Sequence, residues 1–174
     1  MRSLNKKGIS PVIATVIIVS VAIAIAVAVA FWMTGITGLF TRYEKIEITN
    51  AYAVWTSNDT DNLWIITLQL RNSGSDDATI DELFINVKPS GAYDVIDIFY
   101  TSDKQSPDSY GDISGWEEMN FAAGDNIVLS AGQDCTLAVV IVYQAEGNFQ
   151  HGQSVEIKVH TVAGKEYPKT VVLP

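Results

Sequence analysis

At 174 residues the chain has room for one domain or two small ones, and a large multidomain enzyme is excluded. Eleven Lys and Arg against 20 Asp and Glu give a formal net charge of -9, which excludes a general nucleic-acid binder with a basic footprint. A single cysteine, Cys135, permits no internal disulfide, so an extracellular domain here is held by its core or by partners.

Charge divides the chain in two. Arg2, Lys6 and Lys7 precede Gly8, and the next 33 positions, Ile9 to Thr41, carry no charge. Arg42 to Pro174 then holds 8 basic and 20 acidic residues. Within the uncharged stretch, Val12 to Met33 is interrupted only by Thr15 and Ser20, long enough to span a hydrocarbon layer. Twelve of the eighteen residues Val12 to Val29 are Val, Ile or Thr, a composition that favours a strand in water. Lipid reverses the preference, because a lone strand leaves its N–H and C=O groups unpaired in hydrocarbon and a helix satisfies them internally. The run is therefore predicted to be a helix. At about 1.5 Å per residue it reaches roughly 50 Å, so part of it emerges from a core of about 30 Å. Emergence fits Gly35 and Gly38 near its end, with Phe31 and Trp32 at the outer interface. The basic leader places the N-terminus in the cytoplasm and the acidic segment outside the cell.

Ala22, Ala26 and Ala30 form one small-residue row on this helix and Ala24 and Ala28 another, with Ile and Val rows between them. An ordinary anchor with incidental alanines is the plainer reading. Two separate grooves favour a helix packed on several sides by identical neighbours.

The leader ends in Gly8 immediately before the apolar run. A secretory signal would instead be cut beyond its apolar region, after Ala28-Val29-Ala30, but such regions are typically only about 7 to 15 residues long. Lys6, Lys7, Gly8, Ile9, Ser10, Pro11, Val12 and Ile13 resemble the leader junction of archaeal type IV pilins. The detailed resemblance runs from Lys6 to about Phe40; beyond it only architecture and size agree. It implies a class III signal peptide, residues 1–8, removed by a prepilin peptidase after Gly8, so that Ile9 becomes the mature N-terminus. It further implies a hydrophobic helix over 9–42 that leaves the membrane for the core of a helical filament, and an extracellular domain over 43–174. Identical subunits, the peptidase and the pilus assembly machinery are the implied partners, with a surface or cell-envelope target for adhesion. Neither catalysis nor a cofactor is implied. Bacterial type IV pilins usually carry glutamate at the fifth mature position, where this chain has Ile13. The pattern thus looks archaeal, and cohesion falls to apolar packing.

From Tyr43 the period changes to alternation. Ile46 to Thr49, Leu63 to Arg71, Ile80 to Val87, Tyr93 to Tyr100, Ile127 to Leu129, Thr136 to Tyr143, Val155 to Val162 and the segment YPKTVVL read as strands. Thr56 to Asn62 reads as a polar connection. Pro168 suits an edge or a strand start. The fold class expected is α+β: a long N-terminal hydrophobic helix followed by an antiparallel β-sandwich, with immunoglobulin-like topology left open. Asp103 to Asp125, rich in Gly and acids, reads as a long external loop with room for a short helical turn, the best candidate for variable contacts.

No catalytic triad is readable. Asp76, Asp77, Asp81 and Glu82 lack the complete EF-hand spacing, and the loop acids read as solvated surface charge. His151, His160 and Cys135 lack zinc spacing, and Cys135 opens an apolar strand pattern, the setting of a packed thiol. No metal site is expected. Asn58-Asp59-Thr60 is an N-glycosylation sequon in an external loop, with an ordinary polar turn as the plainer reading. Tyr52, Trp55 and Trp64 read as an inter-sheet core cluster in preference to an exposed adhesive patch.

The functional expectation is the major structural subunit of an archaeal type IV pilus, polymerising through its helix for surface adhesion. Two other readings stand beside it: the archaellin of a motility filament, against which the ISPVI segment favours a pilin, and a membrane-tethered binding domain that does not polymerise. The acidic exterior should repel similarly charged surfaces at low ionic strength, an effect that salt screens.

Overall fold

The apolar run forms one continuous helix, α1, Pro11–Phe40, and the rest of the described chain is almost entirely strand and turn. The computed structural model describes residues 11–40, 42–93, 96–143 and 149–174. Two compact units divide between Arg42 and Tyr43.

At about 1.5 Å per residue the 30 residues of α1 extend about 45 Å. No charged residue caps either end, and its apolar side chains are distributed around the whole circumference rather than along one stripe.

Among its described residues the second unit contains ten strands: β1 Ile46–Ser57, β2 Asn62–Asn72, β3 Ala78–Ile85, β4 Lys88–Pro89, β5 Ile96–Thr101, β6 Glu117–Met119, β7 Ile127–Leu129, β8 Asp134–Val142, β9 Ser154–Thr161 and β10 Glu166–Val172. One sheet has the order β1-β2-β8-β5-β6, and the other has β10-β9-β3-β4 with β7 also on β3. Every pairing is antiparallel. Without β4, β6 and β7, the first sheet has the strand order A-B-E-D and the second G-F-C, the arrangement of a constant-type immunoglobulin sandwich. The topology left open by the sequence is thereby settled.

Alternation builds the core. In β9, Val155, Ile157 and Val159 point inward while Glu156, Lys158 and His160 remain at the surface. They meet Ile66, Leu68, Leu137 and Val139 of the facing sheet. Two bulges reset the parity. A register shift at Asn50 separates the inward pair Ile46 and Ile48 from the inward series Ala51, Ala53 and Trp55. Another, between Ile80 and Glu82, explains why inward Ile80 and Leu83 lie three positions apart.

Several boundaries differ from the expectation. β1 continues through Thr56 to Ser57, so the polar connection shortens to the turn at Asn58–Asp61. Tyr93 lies outside the fifth strand, which starts at Ile96; its hydroxyl donates to the Ile85 carbonyl at 2.8 Å. Val87 belongs to a two-residue reversal rather than to β3, with φ of 47° at Asn86 and 76° at Val87. Both values suit a hairpin turn of the primed type, but a β-branched residue at positive φ is strained. Pro168 lies on β10, at the edge of its sheet, where the missing N–H costs no ladder bond.

The segment Asp103 to Asp125 carries the short helical turn expected of it, but it is more structured than a long external loop. It contains a 3-10 turn at Tyr110–Ile113, the strand β6 on β5, and another 3-10 turn at Phe121–Ala123. Ile113, Tyr110 and Trp116 pack on Leu63, Ile65, Ala138 and Val140, forming a second apolar cluster on the outer face of the first sheet. Polar bonds fasten the segment at its start. Gln69 Nε2 donates to the Gln105 carbonyl at 2.7 Å, and Thr136 Oγ1 donates to the Asp103 carbonyl at 2.8 Å. The acids fold the turns internally. Asp112 Oδ2 accepts from the Ser109 hydroxyl and from the backbone N–H of Asp108 and Ser109, which together hold its carboxyl below the usual range.

The start of the sandwich is fixed by the 73–76 turn. Ser73 N–H donates to the Lys45 carbonyl at 2.8 Å, and Ser75 N–H donates to the Tyr43 carbonyl at 2.9 Å. Tyr43 N–H in return donates to Ser75 Oγ at 3.1 Å. A Cβ on Gly74 would lie 2.4 Å from the Tyr43 carbonyl oxygen, so only glycine permits this approach.

Candidate functional site

The candidate site is the lateral surface of α1. None of the residues of its membrane-length segment, Pro11–Gly38, is buried. Ile13, Ile17, Ile23, Ile25 and Phe31 are all more than half exposed. The alanine rows are exposed as well: Ala22, Ala26 and Ala30 on one line, Ala24 and Ala28 on another, with Ile23, Ile25 and Val27 between them. Residues four apart on a helix lie above one another, so each row makes a shallow groove.

Polar atoms on this surface are satisfied within the helix. Thr15 Oγ1 donates to the Val12 carbonyl at 2.8 Å and Ser20 Oγ to the Val16 carbonyl at 2.7 Å. Thr34 Oγ1 donates to the Ala30 carbonyl at 2.5 Å, and Thr37 Oγ1 reaches the Met33 and Thr34 carbonyls, each at 3.1 Å. Every hydroxyl in α1 is thereby turned back onto its own backbone. Such a helix tolerates lipid or an apolar protein environment around its whole perimeter without an orphaned donor. Thr15 and Ser20, which read in the sequence as interruptions of the apolar run, are not interruptions chemically. Their signal was a hydroxyl residue with a carbonyl three or four positions before it. Lys6, Lys7, Gly8 and Ile9, the expected processing residues, lie outside the described residues.

The remaining candidate groups do not converge. Asp81 Oδ1 stands 2.6 Å from His160 Nδ1, whereas the neighbouring Glu82 accepts from the Ser90 hydroxyl at 2.9 Å. Among the described residues no group of three or more His, Cys, Asp or Glu side chains is placed to hold a metal ion. His151 lies in an aromatic cluster instead, its ring 4.4 Å from that of Trp55 and 5.1 Å from that of Trp64. Its Nδ1 meets the Pro174 carbonyl, to which Trp64 Nε1 also donates at 3.2 Å.

The expected aromatic trio separates across the sheet. Trp55 and Trp64 are register partners, tilted against each other at 4.9 Å on the core side; Trp64 is fully buried and Trp55 is half-buried. Tyr52 faces the other way, and its hydroxyl donates to the Pro107 carbonyl at 3.3 Å. A shared adhesive patch is therefore absent at these three residues. Cys135 is fully buried at the start of β8, and burial, reinforced by the Asp134 carboxylate, pushes its thiol up to about 12. Nucleophilic or redox work is unfavourable there at neutral pH. Asn58 lies in the β1–β2 turn, where its Oδ1 accepts from the backbone N–H of Thr60 at 3.0 Å and of Asp61 at 2.6 Å.

No protein-family model matches the sequence, and no curated protein matches it. Among solved structures the chain is similar to the apo PCuAC domain from PmoF1, at 12% identity and a TM-score of 0.44, over 76% of this chain and 98% of that one. It is similar also to the Iho670 flagellar-like filament, at 13% identity and a TM-score of 0.42, over 94% of this chain and 98% of that one. The archaellum periplasmic stator protein FlaG from Sulfolobus acidocaldarius gives 12% identity and a TM-score of 0.34, over 74% of this chain and 99% of that chain. At these identities no residue role is carried across from any of them.

Proposed function

We propose that the chain is the major structural subunit of an archaeal type IV pilus. In this reading, cleavage after Gly8 leaves Ile9 as the N-terminus, and α1 is then drawn out of the membrane among copies of itself. The observation that carries the proposal is α1 itself, apolar on every side, with none of the 28 residues Pro11–Gly38 buried. A simple anchor accounts for apolarity. The two exposed alanine grooves give it in addition a means of close contact with several like helices.

The energetics differ between the two environments. Lipid tails are as apolar as Val and Ile, so exchanging lipid for identical helices gains little from the hydrophobic effect and depends on close packing. The alanine rows permit that packing, and the returned hydroxyls remove any desolvation penalty. Once a filament stands in water, leaving it would expose α1 at about 1.5 to 3 kcal/mol for each large apolar side chain. Entry is then nearly neutral and needs assembly machinery, whereas spontaneous exit is strongly opposed. The sandwich forms the outer surface, and adhesion to a surface or envelope target is its proposed task.

Direct imaging of native filaments, combined with mass spectrometry of their N-termini, tests this proposal. Helical filaments built from chains beginning at Ile9 would support it. Dispersed, membrane-held monomers in native envelopes would replace the filament by a tethered binding domain. A mature chain starting at Phe31 would remove the assembly helix altogether. Deletion that abolishes swimming and leaves adhesion intact would reassign the filament to motility.

A further inference from the structure

We infer that Asn58 is an N-glycosylation site, with the sugar carried on the tip of the β1–β2 hairpin. This rests on the outward orientation of the sandwich in the proposed function, but not on polymerisation. Of the nine asparagines in the chain, only Asn58 is followed by a non-proline residue and then Ser or Thr. The motif falls on the Asn58–Asp61 turn, where Asn58 is half-buried and Ser57, Asp59, Thr60, Asp61 and Asn62 around it are all exposed. By strand rise the tip lies roughly 40 Å along β1 from Ile46, at the end of the sandwich away from its chain entry.

The geometry leaves the right atom available. Two backbone N–H groups, those of Thr60 and Asp61, converge on one side of the Asn58 amide, so that side is the acceptor Oδ1. The Thr60 hydroxyl adds a donor whose single proton is shared between Asn58 Oδ1, at 3.1 Å, and Asp61 Oδ2, at 2.9 Å. These bonds hold the amide plane and draw electron density toward Oδ1, which makes a proton on Nδ2 easier to lose. Nδ2 itself makes no hydrogen bond to any described residue. Asn72 provides the contrast within the same fold: it is fully buried, and its Nδ2 donates to the Asp76 and Leu129 carbonyls, each at 2.8 Å. The strand-end asparagine is used up in holding the core. The other accepts through Oδ1 alone, and its Nδ2 has no partner among the described residues.

The co-reactant is an activated sugar linked through its anomeric carbon to a phosphate carrier, delivered by an extracytoplasmic glycosyltransferase. Asn58 Nδ2 forms the new bond to the anomeric carbon and gives up one proton to the transferase's base. The bond from that carbon to the phosphate oxygen breaks, and the phosphate carrier leaves with the electron pair. No oxidation or reduction occurs.

The test is mass spectrometry of the full chain made in its native host. Trypsin releases the peptide Ile46–Arg71, which contains Asn58. We expect this peptide to be heavier by a whole number of sugar residues, with fragmentation placing the added mass on Asn58. Thr60→Ser should retain the modification, while Thr60→Val and Asn58→Gln should lose it. An unmodified native peptide, or a sugar that persists in Thr60→Val, would overturn the assignment. Membrane-held chains are as informative as filaments in this assay, so failure to polymerise leaves its outcome readable.

Discussion

The two parts of the molecule solve opposite problems with the same kinds of apolar residue. The sandwich places its Val, Ile and Leu on alternating positions and hides them between two sheets, whereas α1 spreads the same residue types, exposed, around a cylinder. One part completes its burial alone. The other leaves its apolar surface to lipid or, in the proposed filament, to like helices, so the stability of the sandwich and the proposed assembly are separable by mutation.

Ala26→Asp should give the largest effect. A carboxylate at mid-helix costs roughly 2.5 to 3.5 kcal/mol on membrane insertion, and it would be repeated in every copy of an assembled array. Filament counts by electron microscopy should fall to zero while the sandwich melts as before. A matching drop in melting temperature would show that the two parts are not separable. Trp64→Ala should do the reverse, destabilising the sandwich by about 3 to 5 kcal/mol through the cavity and the lost contacts with Trp55 and Tyr143. Denaturant unfolding of the full chain in detergent, followed by Trp fluorescence, measures it, and α1 helicity by circular dichroism should be unchanged.

Gly74→Ala should cost about 1 to 3 kcal/mol in the same unfolding assay, because the added methyl meets backbone atoms that cannot yield. Val87→Gly should act in the other direction, stabilising by about 1 kcal/mol as the strained turn becomes an Asn-Gly reversal. A destabilised Val87→Gly variant would refute the strain at that position. Cys135 gives the smallest effect at neutral pH. Its folded thiol is raised above the ordinary 9.0, so the neutral form stabilises the fold below pH 9 and that contribution is lost as pH climbs toward about 12. Over that alkaline range Cys135→Ala should lose stability less steeply than the parent, and alkylation of the thiol should require unfolding.

Much of this division was legible in the residue order, because its cause is local. Thirty-three uncharged positions admit few structures besides a helix in an apolar surrounding, and the alternation in VEIKVHT marks a strand with one wet face. The helical turn expected in the long loop Asp103 to Asp125 is present, but its strand and its packing were not foreseen, because its apolar residues, Tyr110, Ile113 and Trp116, are scattered among Gly, Ser and Asp and acquire burial only from the sheet beneath. A signal existed on the opposite partner. Leu63-Trp64-Ile65-Ile66 and Leu137-Ala138-Val139-Val140 do not alternate, and an unbroken apolar strand requires cover on both faces. The bulges at Asn50 and near Asp81 were similarly written as a change of parity between neighbouring apolar residues. The alanine rows were visible at once, but the self-satisfied hydroxyls of α1 needed coordinates.

The bonds joining Tyr43 and Lys45 to the 73–76 turn have a mechanical consequence. Any tensile load that reaches the sandwich through the chain from α1 enters at Tyr43 and meets these bonds before it can strip β1 from β2. Because Gly74 lets the two backbones touch, the attachment is short and stiff, and strain is passed to the turn after β2 as well as to the edge strand. A fibre component pulled from one end would share the force between two points of its sheet instead of unzipping from its first residue.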